Sequence, residues 1–308
     1  MSKPPPETII LDPNISKGHI MICNLCPRAC GAERDNGIIG FCGVGSTAIV
    51  GRIAPHLWEE PCICTGKGSG TVFFSGCNLR CSFCQNGKIS GGKLGREITE
   101  KELAEAYISL QDMGVCNINF VTPTPWVPNI KRSLDLAWEM GLHLPTVYNC
   151  GGYESVDALR SLKGYIGVYL PDFKYMDAEL GRRFSGVGDY SEVAKRSLYE
   201  MVNQRGEAVY NSDGTMVKGV IVRHLVLPNH TDDSMKVLDY LHSEYGDSIV
   251  ISIMSQYTPQ INAPDELNRK LTAEEYDTVV NYAESIGIKN AYIQDGESAS
   301  ESFIPEFR

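Results

Sequence analysis

The chain lacks most of the marks of a membrane, secreted or polyanion-binding protein. No apolar run reaches the ~18 residues that a membrane-spanning helix needs. The first residues, Met1-Ser2-Lys3-Pro4-Pro5-Pro6, hold no apolar signal-peptide core. The net charge is −10, and nothing in the 308 residues resembles a basic stripe, which argues against a nucleic-acid partner. There are 11 cysteines, an odd number without an export signal, so a disulfide framework is not expected. Gly66-Lys67-Gly68-Ser69-Gly70 lacks the Gly-Lys-Ser/Thr ending of a P-loop. Together these point to a cytoplasmic protein without a membrane span. A hydrophobic share of 43% is ordinary for a globular chain, and the length suits one α/β barrel.

What the chain does have is grouped thiols. Seven of the 11 cysteines fall in two sets. The first is Cys77, Cys81 and Cys84, spaced C-x3-C-x2-C directly after the apolar run Gly70–Phe74. A [4Fe–4S] cluster normally takes four thiolates, so three leave one iron open to a substrate or cofactor. Zinc prefers four ligands, often in two C-x2-C pairs, which this loop does not offer. The second set is Cys23, Cys26, Cys30 and Cys42, spaced C-x2-C-x3-C-x11-C with Gly and Pro between. Four thiolates can close a shell around zinc or hold an auxiliary iron–sulfur cluster, and spacing does not separate the two. So small a module would draw its folding energy from the metal. Cys62 and Cys64 read as plain buried thiols, and His56 as packing.

From about residue 70 onward, strand and helix patterns alternate. Strands are expected over 70–74, 117–122, 145–149, 166–170, 219–227 and 248–255, with a short last one at 290–294. Helices are expected over 99–114, 128–139, 154–162, 191–204, 232–245 and 272–285. Capping boxes open two of them, at Thr99–Glu102 and Thr272–Glu275. This alternation implies a parallel sheet with right-handed crossovers. The fold class is therefore α/β, a partial (β/α)6 barrel. It spans residues 66–308 and follows an N-terminal arm and cysteine module at 1–65. Met113, Met140, Met201 and Met235 read as core.

In such barrels the chemistry sits where strands end. Strand two exits at Thr122-Pro123-Thr124-Pro125-Trp126, and strand three at Asn149-Cys150-Gly151. Strand four exits at Asp172-Phe173-Lys174, and strand five carries Arg223 and His224. Side chains alternate faces along a strand, so if Arg223 points inward His224 packs outside. Trp126 and Tyr257 either wall a pocket or pack.

The cysteine loop resembles the cluster loop of the radical S-adenosylmethionine (SAM) superfamily. Further runs are Cys-Asn-Leu-Cys-Pro-Arg at 23–28, Tyr-Asn-Cys-Gly-Gly-Tyr at 148–153, Tyr-Leu-Pro-Asp-Phe-Lys-Tyr at 169–175 and Val-Arg-His-Leu-Val-Leu-Pro at 222–228. With them the chain resembles the PflX-type, pyruvate formate-lyase activating enzyme-like group. The resemblance implies that Cys77, Cys81 and Cys84 carry a catalytic [4Fe–4S] cluster whose open iron binds SAM. Asn149, Asp172, Lys174 and Arg223 are then SAM contacts. An external one-electron donor of flavodoxin or ferredoxin type reduces the cluster, SAM is cleaved, and a 5′-deoxyadenosyl radical abstracts hydrogen. The substrate is a glycine of a partner protein or a small molecule. A non-catalytic iron–sulfur or zinc scaffold or electron carrier is the remaining alternative. Activases bind the SAM amine through Gly-Gly-Glu at the end of strand two. Here Thr122-Pro123-Thr124 stands there, so threonine hydroxyls and backbone carbonyls take that role. The activases' Tyr-His pair is replaced by Gln256-Tyr257.

Overall fold

The computed structural model describes residues 22–261, 263–294 and 307. Apolar runs bounded by glycine and proline become strands. In chain order these are β1 (Ala48–His56), β2 (Ser69–Phe74), β3 (Arg96–Ile98), β4 (Ile118–Val121), β5 (Thr146–Cys150), β6 (Val168–Pro171), β7 (Val209–Tyr210), β8 (Met216–Leu225), β9 (Val250–Met254) and β10 (Ala291–Ile293). The helices are α1 (Gly87–Ser90), α2 (Glu100–Asp112), α3 (Val127–Glu139), α4 (Val156–Ser161), α5 (Ala178–Ser185), α6 (Tyr190–Arg205), α7 (Thr231–Tyr245) and α8 (Ala273–Ser285). Both expected capping boxes form: Thr99 with Glu102 opens α2, and Thr272 with Glu275 opens α8.

The sheet order is β10-β9-β8-β6-β5-β4-β2-β1-β3. Every pairing from β2 through β10 along that order is parallel, and β1 pairs antiparallel with both β2 and β3. The sheet is an open partial barrel, as expected. Strand β1 was not expected. It lies within the 1–65 stretch, yet it joins the barrel sheet beside β2. Its pattern is broken by Gly51, where the pairing shifts register between Val50 and Arg52. A Cβ on Gly51 would meet the Ile89 side chain at 2.8 Å, so the bulge needs glycine.

Alternation along the strands sorts two faces. Phe74, Phe120, Tyr148, Tyr169, Val222 and Ile253 point outward into the main core under the helices. Burying each such side chain is worth about 1.5–3 kcal/mol. Val147, Val168, Leu170 and Ile221 point inward and close on Cys62 and Ile63. The loop carrying these two plugs the barrel floor. Cys62 O accepts from Met216 N at 2.7 Å, and Ile63 O from Asn117 Nδ2 at 2.6 Å. Cys62 is thus a packing thiol. Met201 is buried as expected, but Met113 and Met140 are exposed. Both sit at helix C-caps, where the chain turns away from the core. Among the described residues no helix is long and apolar enough to cross a membrane.

Candidate active site: the thiol loop and the barrel rim

Strand β2 delivers the chain to Gly76, whose φ of +88° turns it sharply. A Cβ there would meet Cys42 O at 3.0 Å, so the cysteine module packs directly on this turn. Leu79 N donates to Cys77 Sγ at 3.4 Å, and Cys84 N to Cys81 O at 3.1 Å. Arg80 takes a φ of +59°, which lets the loop fold back between Cys77 and Cys81. Cys81 Sγ lies 2.9 Å from Ser185 Oγ on α5, which in turn lies 3.0 Å from Tyr175 OH. Phe83 is buried among Tyr175, Phe184 and Tyr257, with ring centroids 6.3–6.4 Å apart. Burial pushes the Cys77 and Cys84 thiols up from their ordinary range, with the neighbouring Cys81 adding to it. Among the described residues no three His, Cys, Asp or Glu side chains are placed to hold a single metal ion. Three thiolates on a four-iron cluster would leave one iron open.

Beside this loop the strand ends bring the expected polar residues together. Asp172 Oδ2 accepts from Lys174 Nζ at 2.6 Å, and Asp172 Oδ1 from Arg223 Nε at 2.9 Å. Arg223 Nη2 also donates to Asn149 Oδ1 at 2.5 Å. Burial alone would raise the Asp172 carboxyl, but Arg223 and Lys174 outweigh it and hold it below its usual range. Burial likewise opposes the charges of Lys174 and Arg223, and Asp172 overrides it in both. The Lys174 ammonium faces the Phe83 ring 5.9 Å away, which places it over the thiol loop. Tyr190 OH locks the strand ends, donating to Gly151 O and Asp172 O at 2.9 Å each.

Strand β4 ends in a strained turn. Thr122 has a φ of +58°, rare for a β-branched residue and rarer still before a proline. The Thr124 hydroxyl is buried and donates to Glu154 Oε1 at 2.7 Å, so it does not face the concave side. Tyr148 OH donates to the other Glu154 oxygen at 3.0 Å. Burial lifts Glu154 to about 7, against the pull of Thr124 and Tyr148.

Several participants escaped the sequence reading. Glu59 Oε2 lies 3.8 Å from Arg223 Nη1, and Glu59 Oε1 accepts from Asn119 Nδ2 at 3.0 Å. Burial lifts Glu59 to about 7 with Arg223 opposing, and it raises the adjacent Glu60 as well. The other Asn119 amide atom, Oδ1, is buried and has no partner among the described residues. Attention to strand exits could not find these acids, because they precede β2. His224 packs outside as expected: Nδ1 meets Phe173 O at 2.8 Å, and burial lowers it to about 4. Cys150 also points outward, behind the rim. Trp126 is fully buried and donates to Ser75 O at 2.8 Å, and Tyr257 OH donates to Leu267 O at 2.6 Å. Both pack rather than wall a pocket. His56 meets Phe73 edge-on.

A loop of three thiols at the end of the first parallel strand, with a charged rim beside it, matches a known pattern. The family model of the radical SAM superfamily covers residues 71–241, more than half of the chain. The chain belongs to the radical SAM superfamily. It is 31% identical to an uncharacterized protein, MJ0674, of Methanocaldococcus jannaschii, over 93% of this chain and 81% of that one. It is 27% identical to a pyruvate formate-lyase-activating enzyme of Clostridium pasteurianum, over 71% of this chain and 88% of that one. Solved structures similar to it include Streptococcus suis SuiB (TM-score 0.48, 12% identity, 72% of this chain) and methylornithine synthase (TM-score 0.49, 16% identity, 73% of this chain). The chain spans 48% and 63% of the lengths of these two structures. Membership of the radical SAM superfamily implies a [4Fe–4S] cluster and cleavage of SAM.

Proposed function

We propose that this radical SAM protein abstracts hydrogen from a glycine of a partner protein, in the manner of an activase. When bound, the [4Fe–4S] cluster would supply one-electron reduction of SAM, with the electron from an external donor of flavodoxin or ferredoxin type, and the cleaved bond would leave methionine and a 5′-deoxyadenosyl radical. Cys77, Cys81 and Cys84 would hold the cluster. Asp172, Lys174, Arg223 and Asn149 would orient SAM above it, using charges already fixed in place before binding. The observation that carries the reading is the Asp172–Lys174–Arg223 network standing beside the thiol loop. The activase relative from Clostridium pasteurianum supports the glycine substrate. The missing Gly-Gly-Glu and Tyr-His pairs count against identical contacts.

A small-molecule substrate is the second reading. It is favoured by the polar floor of Glu59, Glu60 and Asn119 beneath Arg223, which suits an enclosed polar ligand.

The test is anaerobic reconstitution, addition of SAM and a strong reductant, and assay of 5′-deoxyadenosine. Cys81→Ala should abolish it. An intact cluster without product would sink the enzymatic reading. A glycyl radical in a co-purified protein selects the activase, and its absence beside a consumed metabolite selects the second reading.

A further inference from the structure

The four cysteines of the N-terminal module lie outside the rim just described, yet they do not scatter. Cys23, Cys26, Cys30 and Cys42 line one small cavity together with Arg28, Arg34, Phe41 and Asn78. Gly40 brings backbone against the thiols, since a Cβ there would meet Cys30 Sγ at 2.5 Å. Arg34 is only 9% exposed. Its guanidinium donates to Gly45 O at 2.8 Å and Pro125 O at 2.7 Å. Arg28 donates to Asn78 O and, at 3.4 Å, to Ser185 O. Among the described residues neither arginine has a carboxylate partner.

Both guanidiniums beside this cavity spend their hydrogen bonds on backbone carbonyls, so their two positive charges have no counter-anion among the described residues. Neutral thiols do not supply it. Four thiolates around a dicationic centre carry two net negative charges and match the two arginines. A zinc ion and an iron–sulfur cluster satisfy this charge alike, and the arginine bridge from this site to the thiol loop that takes up an electron favours the redox-active one.

We propose that Cys23, Cys26, Cys30 and Cys42 hold a second iron–sulfur cluster, and that Arg28 couples it to the radical SAM loop. Arg28 sits between Cys26 and Cys30 in sequence, so its charge belongs to the second site. Its hydrogen bonds fall on the first: Asn78 follows Cys77, and Ser185 presents its hydroxyl to Cys81 Sγ at 2.9 Å. The Phe41 ring completes the clamp. Arg28 lies 3.4 Å from its centroid and Arg80, from inside the radical loop, 4.7 Å. Phe41 immediately precedes Cys42, and its carbonyl accepts from Arg80. Filling the four-thiol site therefore fixes the two guanidiniums that shape the loop of Cys77, Cys81 and Cys84. The coupling rests on the reading of those three as ligands of the radical cluster, whereas the metal content of the second site does not.

The first experiment uses the full chain with Cys77, Cys81 and Cys84 all replaced by alanine, reconstituted without oxygen. About four irons and four sulfides per chain should remain. Zinc in their place, or a folded chain with neither metal, overturns the second cluster. The second experiment compares Arg28→Met and Arg28→Lys in the otherwise native chain. Arg28→Met should shift the spectrum of the reduced radical cluster and weaken SAM binding at least five-fold, with Arg28→Lys between it and the native chain. Phe41→Leu provides the same reading should Arg28→Met fold poorly. An unchanged spectrum and SAM affinity in these variants overturns the coupling. Absence of SAM cleavage by the native chain would refute the enzymatic reading and leave the iron count of the first experiment standing.

Discussion

Glu154 offers a sharp energetic test, because every partner of its carboxylate is neutral. It is 2% exposed and accepts from Thr124 and Tyr148, and no salt bridge reaches it among the described residues. Burial raises it from 4.5 to about 7 in the folded chain. The folded chain therefore keeps a proton that the unfolded chain has released across that window. Stability from this group is fully present below about pH 4.5 and is lost as pH rises to about 7. At ~1.36 kcal/mol per pH unit the loss is about 3 kcal/mol. Glu154→Gln mimics the protonated form and cannot ionise. It should match the native chain at pH 5 within ~1 kcal/mol and exceed it at pH 8 by about 3 kcal/mol, seen as a melting temperature higher by roughly 5 °C. A negative cluster at the nearby four-thiol site would push the carboxyl further up and enlarge the gap. Thermal unfolding at half-unit steps from pH 5 to 8 measures it. A variant that is equally or less stable at pH 8, or a gap that does not change with pH, refutes the reasoning.

Arg223→Met leaves Asp172 and Glu59 buried around a lost cation, which should cost about 3–5 kcal/mol in a urea titration. Adding Asp172→Asn should recover part of that; no recovery would contradict the pairing. Trp126→Phe removes the indole donor to Ser75 O at the head of the thiol loop. The expected loss is about 1–3 kcal/mol, together with a lower iron content after reconstitution. Thr122→Gly should raise stability by roughly 1 kcal/mol by releasing the positive-φ strain, while SAM binding weakens about five-fold for want of the hydroxyl. An unchanged SAM affinity in calorimetry would assign that contact to the backbone alone.

Much of the barrel was legible because its strands are short apolar runs between glycines and prolines, and its long helices open on threonine caps. Parity then settled the rim. Asp172 and Lys174 are two apart, and Arg223 and His224 are adjacent, so one pair shares a site and the other splits across the sheet. Strand β1 was not legible, because Gly51 and Pro55 interrupt its pattern and a bulge shifts its register. Helix α5 was missed for another reason. It has eight residues, and its apolar face, Leu180 and Phe184, becomes meaningful only against Phe83 and Tyr175 of the site.

The buried acids mark where sequence reading stops. A glutamate becomes a site residue when partners distant in the chain remove its water, and neither Glu59 nor Glu154 carries a local sign of that. Their placement also bears on the absent Gly-Gly-Glu. At the end of β4 a carboxylate is present after all, but it comes from Glu154 and sits behind the turn, bound to the Thr124 hydroxyl. The turn is further pinned by Thr122 N on Asn149 O at 3.0 Å and by Trp126 on Ser75 O at 2.8 Å. Strain of about 1–3 kcal/mol at Thr122 persists only where surroundings over-determine it, and these three bonds do so. The acid thus acts on the shape of the rim. Under the proposed reading the Thr122 hydroxyl and the backbone carbonyls of this turn would be what is offered to a cationic ligand, a weaker acceptor set than a carboxylate. If the rim binds SAM as proposed, Asp172, whose charge Arg223 and Lys174 keep ionised, would supply the carboxylate for its amine.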